Sequence, residues 1–111
     1  MTASQDSDES GDRLAPLRPA YLRRLALRRT EIADAVAIAA TRPFGEEELR
    51  DIHRVAHSMG SSAAIYGYAP LSEAARAAEH ILEDPASTQT AKADCLQRLA
   101  REAETVLASE D

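Results

Sequence analysis

The 111-residue chain reads as all-α, an antiparallel up-down four-helix bundle. Three observations carry that reading. Apolar residues recur three and four apart in four separate stretches, the spacing of one helix face. No stretch alternates apolar and polar residues as a half-buried strand does. The breaks between stretches are short and hold Pro, Gly and Asp, and short connections favour antiparallel neighbours.

The first helix is expected from about Pro19 to Ala40, with Leu22, Leu25, Ala26, Ile32, Ala33, Val36 and Ala40 as its buried stripe. Arg42-Pro43-Phe44-Gly45 ends it, because Pro43 disfavours a helical backbone at Arg42. The second is expected from about Glu46 to Tyr66. Glu46, Glu47, Glu48 and Asp51 lie in or near its first turn, where the helix dipole favours negative charge. Its core seam is Leu49, Ile52, Ala56, Met59, Ala63 and Tyr66. Gly67 stops it, since glycine takes a left-handed C-cap cheaply. The third helix starts near Pro70, a residue suited to a first turn, and buries Leu71, Ala74, Ala75, Ala78 and Leu82 before Glu83-Asp84-Pro85. The fourth begins at Thr88 or Thr90 and runs to about Ala108, with Cys95, Leu96, Leu99, Ala103, Val106 and Leu107 inward. Tyr66 closes the second helix's seam and Tyr68 packs on the turn after it.

Composition narrows the function. The net charge of −6 sits at the ends of the chain: Asp6, Asp8, Glu9 and Asp12 at the start, Glu110 and Asp111 at the finish. With those set aside, acids and bases balance. A neutral body argues against nucleic-acid binding, which needs a basic footprint. Residues 1–13 are polar and acidic and are expected to form a flexible tail, with the bundle in residues 14–111. The basic cluster Arg18, Arg23, Arg24, Arg28 and Arg29 reads as a solvated helix face. Cys95 is the only cysteine and reads as a small buried hydrophobe. One unpaired cysteine and no signal-like or membrane-spanning stretch point to the cytoplasm. No glycine-rich phosphate loop is present, so phosphorylation from ATP is not expected.

One side chain breaks the pattern of the second helix. His57 is one step off the core seam, rotated about 100° from Ala56, and so points to the bundle margin or solvent. Small residues follow on its face: Gly60 at i+3, Ser61 at i+4 and Ala64 at i+7. They leave the imidazole standing clear, with room for another protein to approach. His53, Arg50 and Arg54 share that side. His53 and His57 are four apart, a spacing that can hold a metal, but Arg54 stands where a zinc protease needs Glu. No metal is expected.

The stretch AHSMGSSAAIYGYAPLSEAARAAE, Ala56 to Glu79, resembles the histidine-containing phosphotransfer (HPt) domain. The shared pattern is the histidine (His57), small residues three to five positions on, and a second glycine ten positions on (Gly67). An Ala-rich helix with Leu71, Ala74, Ala75, Ala78 and Glu79 follows. The close match covers about a quarter of the chain. The family often reads His-x-x-Lys-Gly, whereas here Gly60 holds the lysine position and Ser61 the glycine position.

The resemblance implies a phosphocarrier rather than an enzyme. His57 would take a phosphoryl group from the aspartate of a receiver domain and pass it to another receiver. The receiver would bring the Mg²⁺, so no cofactor of the chain's own is expected. The partners implied are receiver domains of response regulators or hybrid kinases, met by a monomer. Arg50 and Arg54 would partly neutralise the phosphoryl group in place of the missing lysine, and Ser61 would donate a hydrogen bond to it. Gly60 and Ala64 would let the partner come close. The alternative is a bundle with a lapsed site that binds or sequesters a response regulator without carrying phosphate.

Overall fold

In the computed structural model, which describes residues 13–110, the four periodic stretches are helices. They are α1 (Arg18–Ala39), α2 (Glu46–Tyr66), α3 (Ala69–Glu83) and α4 (Gln89–Ser109), with a 3-10 turn at Ala15–Leu17 before α1. No strand occurs among the described residues. The expected acidic tail, Arg13 apart, lies outside them.

The ends of the helices follow from local chemistry. Glu48 reaches back one turn to accept a hydrogen bond from the Gly45 N–H at 2.8 Å, which fixes the start of α2. Arg42 clamps the same carboxylate with two bonds, Nη1 to Oε1 at 2.6 Å and Nη2 to Oε2 at 2.7 Å. That guanidinium, aided by the Gly45 N–H, pulls the Glu48 carboxyl down to about 2. Gly67 caps α2 with φ 84°, a left-handed backbone that only glycine adopts without strain. Pro70 lies in the first turn of α3. Thr88 caps α4, its hydroxyl accepting from the Ala91 N–H at 3.0 Å. Gln89 ties the α1–α2 loop to α4, accepting from Phe44 N and donating to Arg42 O, both at 3.3 Å.

The core is built from one line on each helix. Tyr21, Leu25 and Ile32 come from α1; Ile52, Ala56, Met59 and Ala63 from α2; Leu71, Ala74, Ala75 and Ala78 from α3; Leu96, Leu99, Ala103 and Val106 from α4. Each fully buried Leu, Ile or Met contributes about 1.5–3 kcal/mol from removal of its apolar surface from water. Cys95 is half-buried against this core, and burial pushes its thiol pKa up.

The stripe expected on α1 needs correction. Ala33 and Ala40 are exposed, while Tyr21 is 2% exposed and belongs to the core. The buried line runs through Tyr21, Leu25 and Ile32, and Ala33 turns about 100° away from it. Tyr21 is held by its ring, stacked on Tyr66 with centroids 4.2 Å apart. Arg18, from the basic cluster, is not simply solvated. It lies over the Tyr66 and Tyr68 rings and donates to the Tyr68 hydroxyl at 2.6 Å. Tyr68 in turn donates to Glu110 at 2.5 Å, so both ends of the bundle's sequence are pinned to the α2–α3 turn.

Candidate functional site

Helices α2 and α3 approach closely at Gly60, and that contact sets the site. A Cβ added to Gly60 would meet the Ala75 Cβ at 3.0 Å. The Ser72 hydroxyl donates to the Gly60 carbonyl at 3.2 Å across the same contact. Gly60 is buried there. The expectation that Gly60 clears space for a partner is therefore corrected: the neighbour that comes close at Gly60 is α3. It also follows that a lysine stem has no free room at this position.

His57 stands outside that contact, its side chain 67% exposed. Its Nδ1 lies 2.6 Å from Glu79 Oε1 on α3. An ionised carboxylate only accepts, so a neutral imidazole bonded this way carries its proton on Nδ1. Nε2 then keeps its lone pair. The Glu79 carboxylate is only 17% exposed, so a shielded acceptor holds an open ring.

His53, one turn earlier, is arranged the opposite way. Its Nε2 lies 2.9 Å from Glu83 Oε1, and the imidazole is the less exposed partner, at 32% against 56% for Glu83. The two histidines are thus not equivalent. His57 presents its outer nitrogen to solvent; His53 spends its outer nitrogen on α3.

Between them the helices leave an open groove of about 590 Å³, lined by Leu49, Arg50, His53, Arg54, His57, Leu82 and Glu83. Arg50 and Arg54 therefore share a concavity with His57. Arg54 is also 3.4 Å from Asp51, an exposed pair that contributes little. Ser61 and Ala64 are exposed further along α2, and Ala64 lines a second, smaller depression beside Gly67. His80 does not line the groove. No cluster of three or more metal-ligating side chains occurs among the described residues.

Glu79 and Glu83 are the site residues that sequence reasoning did not single out for a role. A signal exists. The α2–α3 hairpin turns about Tyr68, and residues equally far on either side of it face each other, as His57 faces Glu79 and His53 faces Glu83. Each carboxylate is therefore found by reflecting its histidine through the turn.

The family model described as "Hpt domain" matches residues 8–109, nearly the whole chain. No curated protein and no solved structure matches it.

Proposed function

Because the chain belongs to the Hpt domain family, whose members are histidine phosphocarriers of two-component signalling and not kinases, we propose that His57 is its phosphoacceptor. The donor is the phosphorylated aspartate of a receiver domain, and the acceptor downstream is the aspartate of another. The observation that carries this reading is the Glu79 bond to His57 Nδ1, which leaves Nε2 free on an exposed ring.

The chemistry follows from that bond. The Nε2 lone pair attacks phosphorus, an N–P bond forms, and the P–O bond to the receiver's carboxylate breaks with its electrons on oxygen. The imidazole ring keeps its Nδ1 proton and becomes cationic, and the Glu79 carboxylate beside it offsets that charge. No proton has to move. Return transfer to a second aspartate reverses the same steps. Phosphoryl transfer depends mostly on positioning and charge stabilisation, so an oriented imidazole suffices on this side. Arg50 and Arg54 supply positive charge along the groove, and Ser61, one turn beyond His57, offers a hydroxyl to the phosphoryl oxygens. The divalent cation belongs to the receiver's acidic pocket. No described helix is long and apolar enough to cross a membrane, and the working form is taken as a cytoplasmic monomer.

The test is incubation with a panel of phosphorylated receivers. The parent chain is expected to acquire acid-labile, alkali-stable label, and His57→Gln to acquire none while keeping its helical spectrum. Labelling of His57→Gln at the parent rate overturns the assignment. Tight receiver binding by an unlabelled parent would instead favour the phosphorylation-deficient interaction module, a bundle that sequesters a response regulator.

A further inference from the structure

Helix α1 carries a second line of residues that the bundle does not use. Leu17, Ala20, Arg24, Leu27, Glu31, Asp34 and Ile38 follow one another three, four, three, four, three and four apart. That spacing keeps them on one face over about 32 Å of helix. The line lies about 100° round from the buried one through Tyr21, Leu25 and Ile32. Ala20 is half-buried and the other six are exposed. Three large apolar side chains stand open on it: Leu17 at 54%, Leu27 at 67% and Ile38 at 37% exposed. Single exposed apolar residues are common on proteins and by themselves mean little. Three on one helical line, with charges set between them, form a pattern. At the C-terminal end, Glu31, Asp34 and Ile38 line an open groove of about 310 Å³ whose opposite wall includes Asp51 and Val55 of α2.

The order of the line matters as much as its content. Leu27 is its middle, with the basic half before it and the acidic half after it. A second copy laid antiparallel, Leu27 upon Leu27, sets Arg24 against Glu31 of the second copy. It also sets Leu17 against Ile38 of the second copy. Each of these contacts then occurs twice, as a two-fold axis requires. Asp34 of the second copy falls opposite Ala20, within one turn of Arg23 and Arg24. The acidic groove of one chain thereby receives the basic half of α1 from the other. Arg24, Glu31 and Asp34 enter no ion pair among the described residues, so no internal pair has to break.

We infer that the outer line of α1 pairs the chain with a second copy of itself, antiparallel about a two-fold axis at Leu27. The occupant is identified by complementarity: the line matches its own reverse in charge and in apolar contact. One helix pair buries less than the roughly 1,600 Å² of a standard interface, so the dissociation constant is on the order of 10–100 µM. The monomer taken above as the working form is then the dilute species. No residue of α1 lines the groove at His57, so pairing leaves the imidazole open. The inference stands independently of the phosphocarrier reading.

The test is sedimentation equilibrium of the full chain from about 5 to about 500 µM, a range that brackets the expected constant. The parent is expected to pass from monomer to dimer. Arg24→Glu alone and Glu31→Arg alone each set like charges together twice, and each is expected to pair at least tenfold more weakly. An equal mixture of these two variants restores opposite charges at both contacts and is expected to pair within threefold of the parent. Leu27→Gln tests the axis without a change of charge and is expected to weaken pairing at least tenfold. The substituted side chains are exposed, and circular dichroism checks that each variant keeps its helices. A parent that stays monomeric across the range overturns the inference. That includes the case in which either reversal slows transfer from a receiver, which would give the line to the receiver instead. A dimer that none of the three variants weakens overturns it, because another face then makes the contact. A mixture no stronger than its separate variants overturns the antiparallel register.

Discussion

At the scale of single residues, the account turns on a hydrogen bond and a missing side chain. Under the proposed function Glu79 is a positioning residue, because it bonds the imidazole at Nδ1, the nitrogen that does not react. A hydrogen bond to a charged group contributes about 1.5–3 kcal/mol, which corresponds to roughly tenfold to a hundredfold in rate if it is made fully in the transition state. Glu79→Ala is therefore expected to slow phosphate acceptance by about that factor, and Glu79→Gln, which keeps an acceptor oxygen, to recover part of it. Stopped-flow transfer from a phosphorylated receiver measures both. Equal rates for Glu79→Ala and the parent would show that the bond does not orient the ring. Gly60 makes the complementary point. The lysine common at this position in the family cannot simply be restored, because its Cβ would press on Ala75 at 3.0 Å. Gly60→Lys is expected to destabilise the fold by about 1–3 kcal/mol, the usual range for overpacking. Urea unfolding gives the value, and unchanged stability would mean that α3 yields freely at this contact.

At the scale of elements, helices α2, α3 and α4 were legible almost to the residue because their ends carry chemical signals: Glu48 and Gly67, Pro70, Thr88. The periodic seams of these three helices were legible from their spacing, except that Leu49 is half-buried on the wall of the open groove and not in the core. On α1 the reading slipped at Ala33, Ala40 and Tyr21. Alanine gives little contrast between inside and outside, and a tyrosine's ring is seen as core only when its stacking partner, Tyr66, is known. The site divides in the same way. The exposure of His57 was legible from its rotation off the seam. Glu79 was not, because its meeting with His57 depends on the α2–α3 register. Gly60 was misjudged because a glycine on a helix marks a close approach without saying to what. Tyr21 yields a prediction at this scale. Its hydroxyl is buried and has no hydrogen-bond partner among the described residues, and burial pushes its pKa up to about 12. The folded state thus holds the phenol proton more tightly than the unfolded chain. This contribution is fully present below pH 10 and is lost as pH rises toward 12. Tyr21→Phe is expected to flatten that alkaline decline and to leave neutral-pH stability equal or higher by about 1 kcal/mol, since an unsatisfied buried hydroxyl costs about that much. A parallel decline in both proteins above pH 10, followed by circular dichroism, would contradict this.

At the scale of the whole molecule, the proposed function asks the bundle to hold one imidazole in one orientation at its surface. The core of α1, α3 and α4 supports α2, the α2–α3 contact at Gly60 and Ala75 sets the helix spacing, and that spacing brings Glu79 to His57. Acid acts on the same frame from the opposite end. The Glu48 carboxyl is held down to about 2 by Arg42, so the stability it contributes is present above its ordinary value of 4.5 and is lost as pH falls toward 2. Glu48→Gln is expected to show a shallower acid decline in thermal midpoint than the parent between those values; identical slopes would remove Glu48 as a cause. The central claim, that the phosphoryl group is carried on Nε2 of His57, is open to one direct measurement. Phosphorus NMR of the phosphorylated chain, with peptide mapping of the label, distinguishes the two ring isomers and the three histidines. The account predicts a single phosphohistidine, at Nε2 of His57. A phosphoryl group on Nδ1 of His57, or on His53 or His80, would contradict it.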